Sequence, residues 1–203
     1  MSGLTASGKS TLCAELARRT GLPLVAEGMA GLTDASSAYA RLLADRMGPR
    51  DAVAEGRSRL LGEFTGWARS RAELRAQAAG FIADRWELDL CAWWLMSAMH
   101  GADSVTDELL RTLRAAAGEL DYCVALPFSP PLGQAGQPNE DGLRRNLSFT
   151  ARTAFHALLI GLMTDFVPLR VIRIPNGCGS PADRAEFVEQ AILRDQTRRA
   201  RSN

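Results

Sequence analysis

The chain is short of lysine, histidine, aromatic residues and long apolar runs, and each shortage narrows what it can be. Of 24 basic residues a single one, Lys9, is lysine and the rest are arginine. A base composition that drifts Lys to Arg wherever the two are equivalent explains this, so Lys9 marks a position where they are not. Only two histidines (His100, His156) and four widely spaced cysteines (Cys13, Cys91, Cys123, Cys178) occur, with no C-x-x-C pair. That argues against a structural zinc site and a disulfide scaffold, and the thiols are expected to be reduced and mostly buried. No apolar run approaches the ~20 residues of a membrane span. No basic-then-apolar leader opens the chain, which leads us to expect a cytoplasmic protein. The net charge of +1 gives no electrostatic case for a nucleic-acid or membrane-surface partner. Oligomeric state is not legible. What remains is 203 residues, 46% hydrophobic and 23% charged. We expect one domain over 1–203, long enough to bury roughly 70% of its unfolded surface.

Lys9 stands in Gly3-Leu4-Thr5-Ala6-Ser7-Gly8-Lys9-Ser10-Thr11, which reads G-x-x-x-x-G-K-S. Glycines let a backbone curl until successive N–H groups face a phosphate. A following helix turns its positive end on the same anion. A compact ammonium reaches between β- and γ-phosphates where a planar guanidinium does not fit. The Ser10 hydroxyl suits Mg²⁺. Gly3, Thr5, Ala6, Ser7, Gly8, Lys9, Ser10 and Thr11 are therefore the candidate nucleotide-binding residues, with ATP and Mg²⁺ as the expected ligands. Ser10–Arg19 reads as an amphipathic helix stopped by Gly21. A phosphate loop normally hangs from a buried strand. Only Met1 and Ser2 precede Gly3, so a truncated or misassigned start is expected.

Further on, short apolar runs alternate with helical stretches. Strands are expected at 22–26, 80–83, 121–126 and 169–174, and helices at 34–47, 50–78, 87–100, 104–118, 141–165 and 182–200. Alternation of this kind predicts an α/β parallel sheet, whose ligands sit at the carboxyl ends of its strands. No N-K-x-D or T-K-x-D motif is present, which argues against a Ras-like GTPase. The D-x-x-G match Asp45-Arg46-Met47-Gly48 falls in a helical pattern. The absence of L-S-G-G-Q, and of four apolar residues followed by Asp-Glu, argues against transporter ATPases, motors and unfoldases.

Three groups of residues then deserve a role. Glu27 follows the strand at 22–26 and can orient or deprotonate a hydroxyl. Asp84 and Arg85 follow the strand at 80–83: the acid can hold Mg²⁺ or act as base, and the guanidinium can grip a phosphate or carboxylate. Asp89, in the next helix, suits that helix's dipole. In the stretch 141–165, Arg144, Arg145 and Arg152 lie within about 60° of Asp141 at roughly 100° per residue. Leucines fill the other side. Such a helix can close over a triphosphate as a lid, hinged on the loop Pro127–Pro138. Trp86, Trp93 and Trp94 are expected in the core. Arg57, Arg59, Arg69, Arg71 and Arg75 are expected on a solvated helix face.

In order, these features resemble the AAA-type P-loop kinase-like family that includes the ribosylnicotinamide kinase domain and, more distantly, nucleoside and nucleotide kinases. The residues that carry the resemblance are Gly3–Thr11, Glu27, Asp84-Arg85 with Leu88-Asp89, and Asp141-Gly142-x-Arg144. The resemblance implies a three-layer P-loop NTPase fold with a parallel sheet in order 2-3-1-4-5, whose first strand is missing here. It also implies ATP with Mg²⁺ and an arginine lid. Ser10 and Asp84 would hold the metal. Lys9, Glu27, Asp84, Arg85, Arg144, Arg145 and Arg152 would carry phosphoryl transfer to a nucleoside-like or other small hydroxylated acceptor. The alternative is a regulatory nucleotide-binding module without small-molecule kinase activity.

Overall fold

A computed structural model of the chain describes residues 1–2, 7–45, 49–77, 79–97, 103–128, 149–167 and 169–202. Helix α1 (Lys9–Thr20) opens after Gly8, which lies in the left-handed region at φ 86°, and closes on Gly21 at φ 72°, whose N–H bonds the Ala17 carbonyl. Both turns need a residue without a Cβ penalty. A Cβ on Gly8 would also come within 3.0 Å of the Arg184 guanidinium.

Strand β1 (Leu24–Val25) leads to helices α2 (Ala30–Ala44) and α3 (Arg50–Ala76), and β2 (Ile82–Ala83) to α4 (Glu87–Ser97) and α5 (Asp103–Gly118). Strand β3 (Cys123–Ala125) precedes α6 (Phe149–Gly161), which runs into a π-helical turn at Leu162–Phe166. Strand β4 (Val171–Arg173) and α7 (Pro181–Ala200) follow. A full capping box starts α7: Ser180 and Asp183 bond each other's backbone, with Pro181 in the first turn. The strands are shorter than their apolar runs suggested. The proposed lid helix is described only from Phe149 onward; Asp141, Arg144 and Arg145 lie outside the described residues, as do Gly3, Thr5 and Ala6.

β1 pairs with β2, and β3 with β4, both in parallel. Met1 and Ser2 lie between the two pairs. The Met1 amine donates to the Ala83 carbonyl at 2.6 Å. The Arg85 N–H donates to Met1, Ser2 N–H to the Val124 carbonyl and Leu126 N–H to Ser2. Ser2 thereby forms a parallel bridge to Ala125.

Successive residues of a strand face opposite sides. Cys123 and Ala125 enter a core built with Trp67, Trp86, Leu88, Leu113 and Phe155. Val124 and Leu126 enter a second core with Leu12, Leu16, Ile172 and Val188. Helices α1 and α7, which touch each other, serve the second core, and α2 to α6 serve the first. The result is a mixed helix–strand architecture with small parallel sheets, compatible with the expected α/β P-loop-type fold. Trp86 and Trp94 are buried, and Trp93 sets its edge on Phe155 with ring centres 5.7 Å apart. The four cysteines are free thiols, and burial pushes Cys13 and Cys123 to about 11 and Cys91 to about 12. Among the described residues no helix is long and apolar enough to cross a membrane.

Candidate functional site

The carboxyl ends of β1 and β2 and the start of α1 converge. Lys9, the first residue of α1, is 4% exposed. Burial draws its amine down from 10.5 to about 8, and the Arg85 charge pulls the same way. Asp89, Glu27 and Asp84 act in the opposite sense, holding the proton on. An ammonium in this position, at the positive end of α1, is one that a bound anion would favour.

Arg85 is the hub of the acidic side. Its Nε lies 2.6 Å from Glu27 Oε1 and its Nη1 3.0 Å from Asp89 Oδ1. Asp89 is fully buried and its other oxygen accepts the Ser2 hydroxyl proton at 2.6 Å. Arg85 sits at φ 64°, the one non-glycine residue at positive φ among those described. A non-glycine backbone there is strained by about 1–3 kcal/mol, and such strain persists only where surrounding contacts hold it. Arg71 is one such contact. From α3 it donates to the carbonyls of Ala26, Asp84 (3.0 Å) and Arg85, fastening both strand ends together. Its guanidinium also covers the Trp67 ring, 4.6 Å from the ring centre, and Trp67 Nε1 bonds the Glu27 carbonyl at 2.9 Å.

Two carboxylates remain open to chemistry. Glu27 is 40% exposed on its side chain, at the outer edge of the group. Asp84 is 4% exposed, and its Oδ1 has no hydrogen-bond partner among the described residues. A buried carboxylate oxygen without a donor calls for a cation or a ligand proton. Mg²⁺ takes one or two protein oxygens and completes its octahedron with phosphates and water, so the donor set Asp84 plus the exposed Ser10 hydroxyl fits it. Among the described residues no cluster of three or more His, Cys, Asp or Glu is built to hold a metal alone.

The structure thus brings Lys9, Glu27, Asp84 and Arg85 together. Ser7 is buried, and its carbonyl accepts from Arg184 of α7 at 2.8 Å. Thr11 is exposed on α1, and Arg152 is half-buried on α6, a helix that packs on α4. Arg71, Arg75 and Arg184 were misjudged from the sequence or escaped it. Arg71 and Arg75 are not on a solvated face: both are buried, Arg75 bridging Glu87 and Glu119 at 2.8 Å each. Asp89 lies in the first turn of α4, as expected, and in addition pairs with Arg85. The i, i+4 spacing of Arg85 and Asp89 was the available clue. For Arg71 and Arg184 none existed, because their partners are main-chain carbonyls of distant segments.

A sequence-family model described as an AAA domain matches residues 1–184. A search of curated proteins finds no match.

Proposed function

The chain belongs to the AAA-domain family, which gives it a nucleotide-binding P-loop of the ATPase kind, and from that premise we propose an ATP-dependent phosphotransferase acting on a nucleoside-like or other small hydroxylated acceptor. The observation that carries the proposal is the juxtaposition of buried Lys9 with two strand-end acids, one exposed and one with an unpartnered oxygen. The domain is taken to span 1–203. The hydrogen bonds of Met1 and Ser2 between β2 and β3 support reading the sheet in the order 2-3-1-4-5, with these two residues in the central place.

In this reading the loop amides and Lys9 hold the β- and γ-phosphates. Asp84 and Ser10 would hold Mg²⁺, which supplies neutralisation of phosphate charge. Glu27 or Asp84 accepts the proton of the attacking hydroxyl. Arg85, with Arg144, Arg145 and Arg152 of the lid segment, offsets the charge that builds on the transferring group. Arg71 and Asp89 keep Asp84 and Arg85 in place. The regulatory reading has one observation in its favour: Glu27 and Arg85 are engaged with each other, so both need release before either meets a substrate.

ADP release, screened against nucleosides, nucleoside monophosphates and hydroxylated small molecules, separates the two. Acceptor-dependent ADP release that is lost in Lys9→Ala supports the kinase. ADP release unaffected by every acceptor supports the regulatory module.

A further inference from the structure

Arginine is out of place at the start of a helix, where the positive end of the dipole disfavours a cation. Arg184 nevertheless stands in the opening of α7, directly after the Ser180–Asp183 capping box, with its N–H on the Ser180 carbonyl at 3.1 Å. Its neighbours Ala185 and Val188 share the second core with Leu12 and Leu16 of α1. A long helical side chain leans toward the amino end of its own helix. Arg184 accordingly reaches back to the segment after β4 and donates from Nε to the Cys178 carbonyl at 2.9 Å. From Nη1 it donates to the Ser7 carbonyl at 2.8 Å. One half-buried guanidinium thus ties α7 to the turn that opens α1. The contact is close: a Cβ on Gly8 would come within 3.0 Å of the same Nη1.

We propose that Arg184 is a positioning residue for the nucleotide: by holding the Ser7 carbonyl it aims the Gly8 N–H at the bound polyphosphate. This deepens the nucleotide-binding reading of Lys9 and rests on it. The peptide between Ser7 and Gly8 is trans and planar, so its C=O and N–H point in opposite directions. With the carbonyl held toward α7, the Gly8 N–H faces the other way. That N–H has no acceptor among the described residues, and neither has the buried Ser7 Oγ a partner there. Adjacent open polar groups at the first turn of a helix are what an anion uses.

A lock is needed because the hinge is a glycine. Gly8 sits at φ 86°, and glycine takes negative φ as readily as positive. Without the Arg184 bond this peptide is free to flip, and a flip presents a carbonyl oxygen to the phosphate in place of an N–H. Arginine suits the task better than lysine. Its rigid fork spans two carbonyls from separate segments, and a charged donor makes the stronger bond to each. Both bonded nitrogens are engaged on main-chain carbonyls, so the residue acts through the backbone of the loop.

The test follows Mg²⁺–ATP binding and the Gly8 amide-proton resonance in three full-length chains: wild type, Arg184→Gln and Arg184→Lys. The glutamine amide nitrogen occupies the place of Nε, so it keeps the Cys178 bond and loses the Ser7 bond. The lysine ammonium extends further, keeps the charge and reaches the Ser7 carbonyl. In the wild type, saturating nucleotide should move the Gly8 amide proton downfield. Arg184→Gln should bind roughly tenfold or more weakly, and at saturation its Gly8 shift should shrink. Arg184→Lys should stay within about threefold of the wild type and keep most of the shift. The Gly8 shift at saturation separates aiming from mere support, because a chain that is only loosened keeps the full shift once loaded. Wild-type affinity in Arg184→Gln would overturn the proposal. So would weaker binding with an unchanged Gly8 shift, which would mean that Arg184 acts by its charge alone, and so would a loss in Arg184→Lys as large as in Arg184→Gln. Absence of binding by the wild type would defeat the nucleotide-binding reading itself and the proposal with it, which sets that failure apart from the others.

Discussion

The two ends of the same short strands are built on opposite principles. At the carboxyl ends, Lys9, Asp84, Arg85, Asp89 and Arg71 are buried, charged and tied to one another and to the main chain. At the amino ends, Phe81, Ile82, Cys123 and Val124 border a cavity of about 630 Å³ whose lining mixes apolar side chains such as Leu16 and Val188 with Arg75, Glu119 and Glu189. Parallel strands align their carboxyl ends on one side, and side chains that leave the sheet there converge from several elements at once. Chemistry is gathered where the chain turns. Stability depends on how well the flat middle of the strands is covered.

The sharpest way to break this contrast is to remove a charge at the polar end. Asp89→Ala strips Arg85 of a fully buried partner and leaves Ser2 without its acceptor. A loss of about 3–5 kcal/mol is expected from urea midpoints, as for any buried pair deprived of one member. An effect under about 1 kcal/mol would mean that Arg85 is already held by Glu27 alone. Arg71→Met keeps the stem against Trp67 but removes the donors to three carbonyls. About 2–4 kcal/mol should be lost. Turnover should fall further than the fraction unfolded explains, because Asp84 and Arg85 lose their fixed backbone.

Charge at Lys9 gives a subtler readout. Its folded value is about 8 against 10.5 for an exposed lysine. Between those values the unfolded chain binds more protons than the folded one, so this group makes stability rise with pH across the window. A polyphosphate beside the amine restores the proton. Calorimetric titrations of nucleotide near pH 9, in buffers of different ionisation enthalpy, should therefore show net proton uptake that fades toward pH 7. The smallest effect is expected at the other end of the strands. Phe81→Ala, half-buried on the wall of that cavity, should cost about 1 kcal/mol or less and leave nucleotide affinity unchanged.

How much of this could be read from residue order differs between the two ends for a physical reason. Lys9 and its glycines declare themselves because a curled phosphate-holding backbone needs those residue types at fixed spacing. Glu27 and Asp84-Arg85 were legible as residues that follow short apolar runs, since strands end where such runs end. Arg71 was not. Its partners are the carbonyls of Ala26, Asp84 and Arg85, and a carbonyl carries no residue-type signature. On its helix the arginine looks like any solvated one. The position of Met1 and Ser2 between β2 and β3 was equally hidden, because two residues are too few to show a strand's periodicity. The helices were legible to within a few residues: 50–78 was expected where Arg50–Ala76 is found, and 182–200 where Pro181–Ala200 is found.

The most direct measurement is equilibrium binding of Mg²⁺–ATP to the wild-type chain and to Lys9→Met, a substitution that keeps the length of the stem and discards the charge. Binding by the wild type, with a loss of on the order of a hundredfold or more in Lys9→Met at an unchanged melting temperature or a higher one, is the expected result. Equal affinity in both proteins would contradict it, and would place any nucleotide somewhere other than the start of α1.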